Sequence, residues 1–358
     1  MRLLPTVLVL ALLAAPLAAT PAAADDPARD VTIVARAVSD YIRPATESFA
    51  RDTHGLDDAV GGFCATPGSD TRTAVDSAFR VAVEGWSGIQ FLRFGPLVDE
   101  HRLERIAFWP DPKGIGLRQL RRALADRDAT VTDPGQLAGK SVALQGLTAL
   151  EYLLYGDGSD RPDAFRCAFA TAAAGSLAAV ADAIAGEWAA PDGFAERLMQ
   201  PGSDDPVYRK PAESLAELHR ALTTGLQVTQ DQKLKPVLGD TPDSAKPFLA
   251  PFRRAGQSVA VLAADLSALR AFTAAAGFTR DLPEEYRWLD NSIGFEFGNA
   301  VRAAGSVRLP IDEAVYDETE RGQLHYLFVV LGNLRTMTQQ DLATALDLRG
   351  GFNALDGD

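Results

Sequence analysis

One acidic side chain stands alone in an apolar stretch of this sequence. The segment GKSVALQGLTALEYLLYGDG runs from Gly139 to Gly158, and Glu151 is the only charged residue between Lys140 and Asp157. A solvated helix face normally carries several charged side chains, so protein must cover most of this helix. A buried carboxylate is costly unless it is paired or takes up a proton. The sequence therefore predicts that Glu151 has a partner elsewhere in the fold.

The polar residues around Glu151 fall on one side of the predicted helix. Each residue of a helix advances by about 100°, which brings five side chains within about a third of the circumference. These five residues, here called the polar seam, are Gln145, Thr148, Glu151, Tyr152 and Tyr155. The seam is either a buried hydrogen-bond network that fixes the helix register or a ligand-binding site in which Glu151 could also hold a metal.

A second segment, RVAVEGWSGIQFLRFGPL, supplies the candidate partner. Trp86, Gln90 and Arg93 follow one another at i, i+4 and i+7, so they share a helix face. Arg93 precedes a Gly-Pro helix stop, where an arginine can form a bidentate pair with a buried carboxylate. We therefore expect Arg93 to pair with Glu151, and Gln90 and Trp86 to line the same seam. The alternative is that Arg93 only caps the C-terminus of its own helix.

A third segment, EEYRWLDNSIGFEFGNAVRAAG, has a similar character. Ser292 and Glu296 lie at i and i+4, and the phenylalanines on both sides of Glu296 indicate a half-buried acid. We expect Ser292 and Glu296 to complete the ligand-binding seam. The alternative is an ordinary amphipathic helix, because two arginines in the same segment would keep part of it in water.

The sequence lacks the local signatures of the common enzyme classes. None of the four histidines is paired with another at i+3 or i+4. The HExxH zinc motif, the GxSxG nucleophile elbow, the P-loop and a GxGxxG following a strand are all absent from the sequence. We therefore expect no catalytic residues.

Helical periodicity dominates the chain, and no alternating run is long enough to predict a sheet. Separators rich in Gly, Pro and Asp divide it into long candidate helices with short connections, which is typical of antiparallel bundles. The predicted fold class is all-α, with two four-helix-bundle-like halves packed together. The predicted helices are Pro27–Arg51, Arg72–Phe94, Gly116–Ala125, Lys140–Tyr155, Asp163–Trp188, Pro211–Leu234, Phe248–Ala276, Glu284–Ala303 and Asp312–Leu348.

The domain organisation follows from composition. Residues 25–200 are predicted to form the first bundle, which carries GLTALE, and residues 201–358 the second. The boundary lies in the segment MQPGSDDPVYRKP, which is rich in Pro, Gly and Asp.

The first 24 residues have the pattern of a signal peptide. Arg2 is followed by an apolar core and by three alanines at positions 22–24, which predicts cleavage before Asp25. We expect a periplasmic or otherwise exported protein with no transmembrane segment in the mature chain.

The net charge limits the classes of partner. The chain has a formal net charge of −13, and removal of Arg2 with the signal peptide makes it −14. An acidic surface argues against nucleic acid and anionic lipid as partners.

The two cysteines, Cys64 and Cys167, form an even pair in a chain that we expect to be exported. That setting predicts a disulfide, and the alternative is two free thiols, one of them a metal ligand.

These segments resemble the imelysin family. GLTALEYLLYG resembles its GxHxxE segment, GWSGIQFLRFGPL its Trp-and-Arg helix, and QDQKLKPVLG, FRRAGQSVAVLAADL and the closing GFNALDGD its later segments. The resemblance implies two helical bundles with a site between them, export, and a part in iron uptake. It also implies iron or another divalent metal as a bound group. The family was first named for a peptidase activity.

The chain departs from the family motif at one position. Gly146 and Glu151 match GxHxxE, but Thr148 stands where the motif has His. A neutral threonine hydroxyl is a poor ligand for a transition metal, whereas His and Glu at i and i+3 could share one.

The functional hypothesis is a non-catalytic protein of an exported iron- or metal-acquisition system. It would bind a metal ion, a metal complex or another exported protein of that system at the polar seam, with Glu151 as the candidate metal ligand. The alternatives are a metal-dependent peptidase and a structural or adaptor subunit without a ligand.

Overall fold

A computed structural model describes residues 26–160 and 162–348. Every regular element in these two ranges is a helix, which confirms the predicted all-α fold class. The α-helices are α1 (Pro27–Arg36), α2 (Arg43–Ala65), α3 (Ser69–Ile89), α4 (Arg102–Ile106), α5 (Ile115–Asp126), α6 (Pro134–Ala138), α7 (Gly146–Tyr155), α8 (Ala164–Ala189), α9 (Phe194–Met199), α10 (Pro211–Gln227), α11 (Lys235–Leu238), α12 (Ser258–Ala276), α13 (Trp288–Ser306), α14 (Ile311–Ala314), α15 (Glu318–Thr336) and α16 (Ala343–Ala345).

Three long helices form the core of the first group. α2 packs along both α3 and α8, and the short connection between α2 and α3 makes these two antiparallel. A row of buried alanines on α8 lets its neighbours approach closely, because their side chains end at Cβ. α7 packs against α8 and is held from that side.

A second group contains α10, α12, α13 and α15. α13 packs against both α12 and α15, while α10 packs against the same two helices. The two groups meet where α12 packs on α3 and α1 packs on α10. This arrangement agrees with two packed bundles, and the domain boundary at residue 201 stays a prediction.

Three of the long helices contain a wider, π-helical turn. These turns are Ala37–Ile42, Val228–Leu234 and Met337–Leu342. Pro44 and Pro236 lie just after the first two turns, at the beginning of the next α-helical segment. Proline has no N–H to donate and its ring clashes with the carbonyl four residues earlier, so a wider turn relieves the helix at these points.

α7 begins later than the sequence predicted. The expected start was Lys140, but Gly146 opens the helix with φ of 65°. A Cβ at Gly146 would lie 2.2 Å from the carbonyl oxygen of Arg105 and 2.3 Å from that of Ile106. Only glycine permits both this backbone conformation and this approach to the end of α4. The redirected chain places Glu151 in the middle of α7.

The predicted disulfide is present. Cys64 at the end of α2 is bonded to Cys167 in the first turn of α8, and 103 residues separate them along the chain. This finding confirms the Cys64–Cys167 prediction.

Two helices of the described residues resemble membrane spans in length and composition. They are α8 and α12, although the sequence analysis expected no such segment beyond the N-terminus. α8 lies along α2 with two-thirds of its most apolar window buried, and α12 packs against α3, α10 and α13. Packing thus covers most of the apolar window of α8 and 44% of that of α12. The predicted signal peptide and the closing GFNALDGD lie outside the described residues.

Candidate functional site

Glu151 is buried in the middle of α7, and its partners are main-chain groups. Only 5% of its surface is exposed. Its Oε1 atom accepts a hydrogen bond from the N–H of Arg254 at 2.7 Å and from that of Ala255 at 3.3 Å. The partner does come from another part of the fold, as predicted. The predicted pairing of Glu151 with Arg93 is wrong, because the donors lie in the segment just before α12.

The two amides belong to a turn at residues 251–256. The sequence predicted a helix from Phe248, but α12 begins only at Ser258. Phe252 and Gly256 have φ of 51° and 68°, values that no right-handed helix contains. The Ser258 hydroxyl donates to the carbonyl of Pro251 at 2.7 Å and closes the turn. The amides that bind Glu151 are therefore not used by a helix.

Burial raises the pKa of Glu151 above its ordinary value of 4.5. The charges of Arg254 and Arg253 and the two amide hydrogen bonds oppose this effect, but they are weaker. Glu151 consequently keeps its proton to a higher pH than an exposed glutamate does.

Thr148 lies one turn before Glu151 on α7. Its hydroxyl oxygen is buried and has no hydrogen-bond partner among the described residues. Buried hydroxyls are normally bonded, so this one marks a place where α7 offers a polar group without a protein partner.

Gln145 is not part of the helical stripe. It is the N-cap of α7 and has an extended backbone. Its side chain accepts a hydrogen bond from Arg105 at 3.2 Å and donates to the carbonyl of Lys140 at 3.0 Å. Through these two hydrogen bonds, Gln145 stabilises the segment that leads into α7.

Tyr152 is buried, and its ring lies close to three arginine side chains. The guanidinium carbons of Arg121, Arg166 and Arg254 lie 6.0, 5.7 and 5.6 Å from the centre of its ring. Arg121 also donates to the Tyr152 hydroxyl at 3.2 Å. Cations over an aromatic face are attracted by its negative potential. Tyr152 thus holds together groups from three helical regions and the 251–256 turn.

Arg93 and Gln90 lie at a different place from Glu151. α3 packs on α12, so the Gln90 amide meets the Asp265 carboxylate of α12 at 2.7 Å and accepts from Lys233 at 2.8 Å. Arg93 lines a small cavity with these residues. Trp86 is a core residue, 4% exposed, whose ring packs against Phe49 at 5.9 Å.

Ser292 and Glu296 are also separate from the seam. Together with Phe295 and Met337 they line an open groove of about 630 Å³ on α13. Glu296 accepts from Asn299 and from Asn333, at 3.3 Å in each case. The expectation that one seam unites all three segments is therefore not met.

An open cleft lies at the C-terminal end of α7. Its volume is about 760 Å³, and Arg72, Tyr155 and Arg254 are among the residues that line it; here it is called the Arg254 cleft. Arg72 lies over the Tyr155 ring at 4.5 Å and donates to the carbonyl of Leu154 at 2.7 Å. The exposed Arg254 guanidinium has no ion pair with any described residue. The cleft therefore presents an available cation next to Glu151.

Comparison with known proteins decides the family. The sequence profile described as Imelysin, which carries the label peptidase M75, matches residues 40–336. The chain belongs to the imelysin family. No curated protein matches it at a significant level.

Two solved structures have the same fold as this imelysin family member. An imelysin-like protein from Psychrobacter arcticus 273-4 superposes with a TM-score of 0.76 at 20% identity, covering 91% of this chain and 98% of its own. A candidate iron-regulated protein A precursor from Parabacteroides distasonis ATCC 8503 gives a TM-score of 0.70 at 15% identity, covering 93% and 98%. At these identities the likeness concerns the fold.

The described residues do not fit a bare metal ion at the imelysin motif. They contain no group of three or more His, Cys, Asp or Glu side chains that could hold one. Glu151 already accepts two amide hydrogen bonds through Oε1, and Thr148 presents a neutral hydroxyl where the family motif has His. A transition metal requires more and better ligands than this pair offers.

Sequence reasoning missed Arg254 and the 251–256 turn. The segment FRRAGQ carried a signal, since two adjacent arginines followed by Ala-Gly are unusual inside an apolar helix. It also missed Lys233 and Asp265, which are each 4% exposed and form an ion pair at 2.6 Å.

Proposed function

We propose that this imelysin family member is a non-catalytic binding protein of an exported iron-acquisition system. Its ligand is a metal complex with anionic, carboxylate-bearing chelating groups, and the Arg254 cleft is where it binds. Of the three ligand classes that the sequence suggested, the geometry favours the complex over a bare ion or a partner protein.

Arg254 is the observation that carries this proposal. Its side chain is exposed in a cleft of about 760 Å³, and it forms no ion pair with a described residue, although its guanidinium lies beside the Tyr152 ring. Arg72 adds a second guanidinium to the same wall, and this one is already paired with Asp76 at 3.0 Å. Guanidinium groups bind carboxylates through two parallel hydrogen bonds, and a chelated metal presents such carboxylates at its periphery.

Two further findings support the biological setting. One structural neighbour is named for iron regulation and as a precursor. The Cys64–Cys167 disulfide is typical of proteins outside the reducing cytosol. Both are consistent with export, and the cleavage site before Asp25 remains a prediction.

The test is a titration of the purified mature chain with ferric citrate, followed by calorimetry. We expect binding by the wild-type protein and a loss of about tenfold or more in affinity for Arg254→Met. A charge-assisted hydrogen bond contributes about 1.5–3 kcal/mol, and each 1.4 kcal/mol is a factor of ten. Citrate without iron tests the chelator alone, and zinc chloride without citrate tests a bare divalent metal ion.

Arg253→Met is the matched control. Arg253 lies in the same turn and carries the same charge, but its guanidinium pairs with Asp312 at 2.8 Å. We expect this variant to bind as the wild type does. Equal weakening by both substitutions would show that net charge, and not the cleft, determines binding, and would contradict the proposal.

The alternatives predict different results. Metal-dependent cleavage of a polypeptide that is abolished by Glu151→Gln would replace this proposal with the peptidase hypothesis. Absence of binding by any of the three probes would favour the adaptor hypothesis.

A further inference from the structure

A second polar site lies where the two groups of helices meet, away from Glu151. It is a cavity of about 10 Å³, which is room for one guest of about the size of a water molecule. Ser87 and Arg93 line it from the α3 side, and Lys233 and Asp265 line it from the second group. We call it the junction cavity.

The protein groups around the junction cavity are already paired, with three exceptions. Lys233 donates to Asp265 at 2.6 Å and to Gln90 at 2.8 Å, and Gln90 donates to Asp265 at 2.7 Å. Each end of the Gln90 amide and each Asp265 oxygen therefore makes one hydrogen bond. Three further donors make no hydrogen bond to a described residue: the third N–H of Lys233, the guanidinium of Arg93 and the hydroxyl of Ser87.

Ser87 gives independent support, because it is only 1% exposed and its hydroxyl has no hydrogen-bond partner among the described residues. It lies near enough to Asp265 to lower the pKa of that carboxyl, although the geometry of a hydrogen bond is not met. A buried hydroxyl without a partner costs about 1–3 kcal/mol. Ser87 also lines the junction cavity, which could supply that partner.

The charges at the junction cavity do not cancel. Lys233 and Asp265 form one ion pair, and Arg93 adds a positive charge that no ion pair among the described residues neutralises. Burial lowers the pKa of Arg93, and the negative charge of the exposed Glu104 opposes this effect without overcoming it. Arg93 also lowers the pKa of Lys233, which places its charge close to the cavity.

We propose that the junction cavity binds a single small monovalent anion of halide type, held by Arg93, Lys233 and the Ser87 hydroxyl. Unused donors and one surplus positive charge require a guest that accepts hydrogen bonds and carries a negative charge. The volume is too small for phosphate, sulfate or a tricarboxylate. The ion joins residues of α3 to residues of the second helix group and stabilises their contact.

Bromide tests the wild-type protein directly. Crystals of the mature chain grown in sodium bromide are measured at the bromine absorption edge. An anomalous peak in the junction cavity supports the proposal. Electron density for water without an anomalous peak overturns it.

Thermal unfolding gives a second readout in solution. Sodium chloride is exchanged for sodium gluconate at constant ionic strength and pH, since gluconate is too large for the cavity. We expect the wild-type midpoint to be about 2–4 °C higher in chloride, because a ligand of the folded state stabilises it. Equal midpoints in the two salts would contradict the proposal.

Two variants locate the effect. Arg93→Met and Ser87→Ala should each remove or reduce the difference between chloride and gluconate. Ser214→Ala is the matched control, because its hydroxyl is also buried and bonds to no residue that the structure describes, but it does not line the cavity. A chloride effect that persists in Arg93→Met, or that disappears in Ser214→Ala, would assign the effect to another site and refute the proposal.

Discussion

At the scale of single residues, the chemistry of Glu151 depends on main-chain donors. Two amides of the 251–256 turn bind one carboxylate oxygen, while burial favours the protonated acid. A neutral side chain that can still accept hydrogen bonds should therefore replace Glu151 with little loss of stability. A side chain without an acceptor should destabilise the fold.

This reasoning predicts different outcomes for two substitutions of Glu151. Glu151→Ala leaves two buried N–H groups unpaired and opens a cavity, so it should lower the free energy of unfolding by about 2–4 kcal/mol. Glu151→Gln keeps an acceptor and should lie within about 1 kcal/mol of the wild type at pH 7. Urea unfolding measures both. Equal losses would show that attraction to Arg254, and not the amide bonds, holds the turn.

The dependence on pH has a defined sign. The folded state binds a proton on Glu151 more tightly than the unfolded state, whose pKa is near 4.5. Its contribution to stability is complete below pH 4.5 and is lost as the pH rises through the higher folded pKa. The wild type should therefore lose stability relative to Glu151→Gln from about pH 4.5 upward. A parallel pH profile of the two proteins would contradict the raised pKa.

Thr148 offers a prediction of opposite direction. Its buried hydroxyl has no partner among the described residues, so Thr148→Val should leave stability unchanged or raise it by about 1 kcal/mol. Thr53→Val is the control, because the Thr53 hydroxyl is buried and donates to the carbonyl of Ala50 at 2.8 Å. We expect no gain from that change. A clear loss for Thr148→Val in chemical denaturation would indicate that the hydroxyl has a bound partner.

At the scale of elements, Gly146 determines where α7 begins and hence where Glu151 lies. In Gly146→Ala the new Cβ meets two carbonyl oxygens of the backbone, which cannot move aside as a side chain can. We expect a loss of about 3 kcal/mol or more in the free energy of unfolding, from this clash and the positive φ.

Gly186→Ala is the control for this substitution. Gly186 lies on the exposed side of α8, and nothing is within 4 Å of the added Cβ. The change should stabilise the protein by about 0.5–1 kcal/mol through helix propensity. If both glycine variants lose stability alike, the special position of Gly146 is not supported.

The sequence predicted the helices well where periodicity is strong, and the isolation of Glu151 correctly indicated a distant partner. It could not identify that partner, because nearly every residue type has a main-chain N–H and the sequence does not show which of them is free to bind. The start of α12 was missed for a related reason. Phe252 has a positive φ, which is not expected for a phenylalanine. The distribution of the seam residues over three places depends on how α3 and α13 pack, which short-range spacing cannot reveal.

At the scale of the whole molecule, the Lys233–Asp265 pair connects the π turn before α11 to α12. Both residues are 4% exposed, and burial lowers the pKa of Lys233 and raises that of Asp265. Removing either partner leaves the other charge buried, so Lys233→Met and Asp265→Leu should each cost about 3–5 kcal/mol. The double variant should cost clearly less than the sum. Strict additivity in denaturant unfolding at fixed salt would contradict this coupling.

The disulfide should contribute to global stability. Closing a loop of about 100 residues restricts the unfolded chain, and the chain-entropy treatment assigns about 4.7 kcal/mol to such a loop. We expect the Cys64→Ser, Cys167→Ser double variant to lose about 2–5 kcal/mol. Unfolding with and without reductant provides the check: reductant should destabilise the wild type and leave the variant unchanged.

The same cross-link also governs how the protein responds to force. Tension applied at residues near the two ends of the described chain passes through the Cys64–Cys167 bond, so the 103 residues of separation between them carry no load after unfolding. An extended residue spans at most about 3.6 Å, which makes the hidden length about 370 Å. In single-molecule pulling, the reduced protein should extend further than the oxidised one by about that length. Helices α3 to α7, with Glu151 among them, thus form a mechanically shielded part of the molecule.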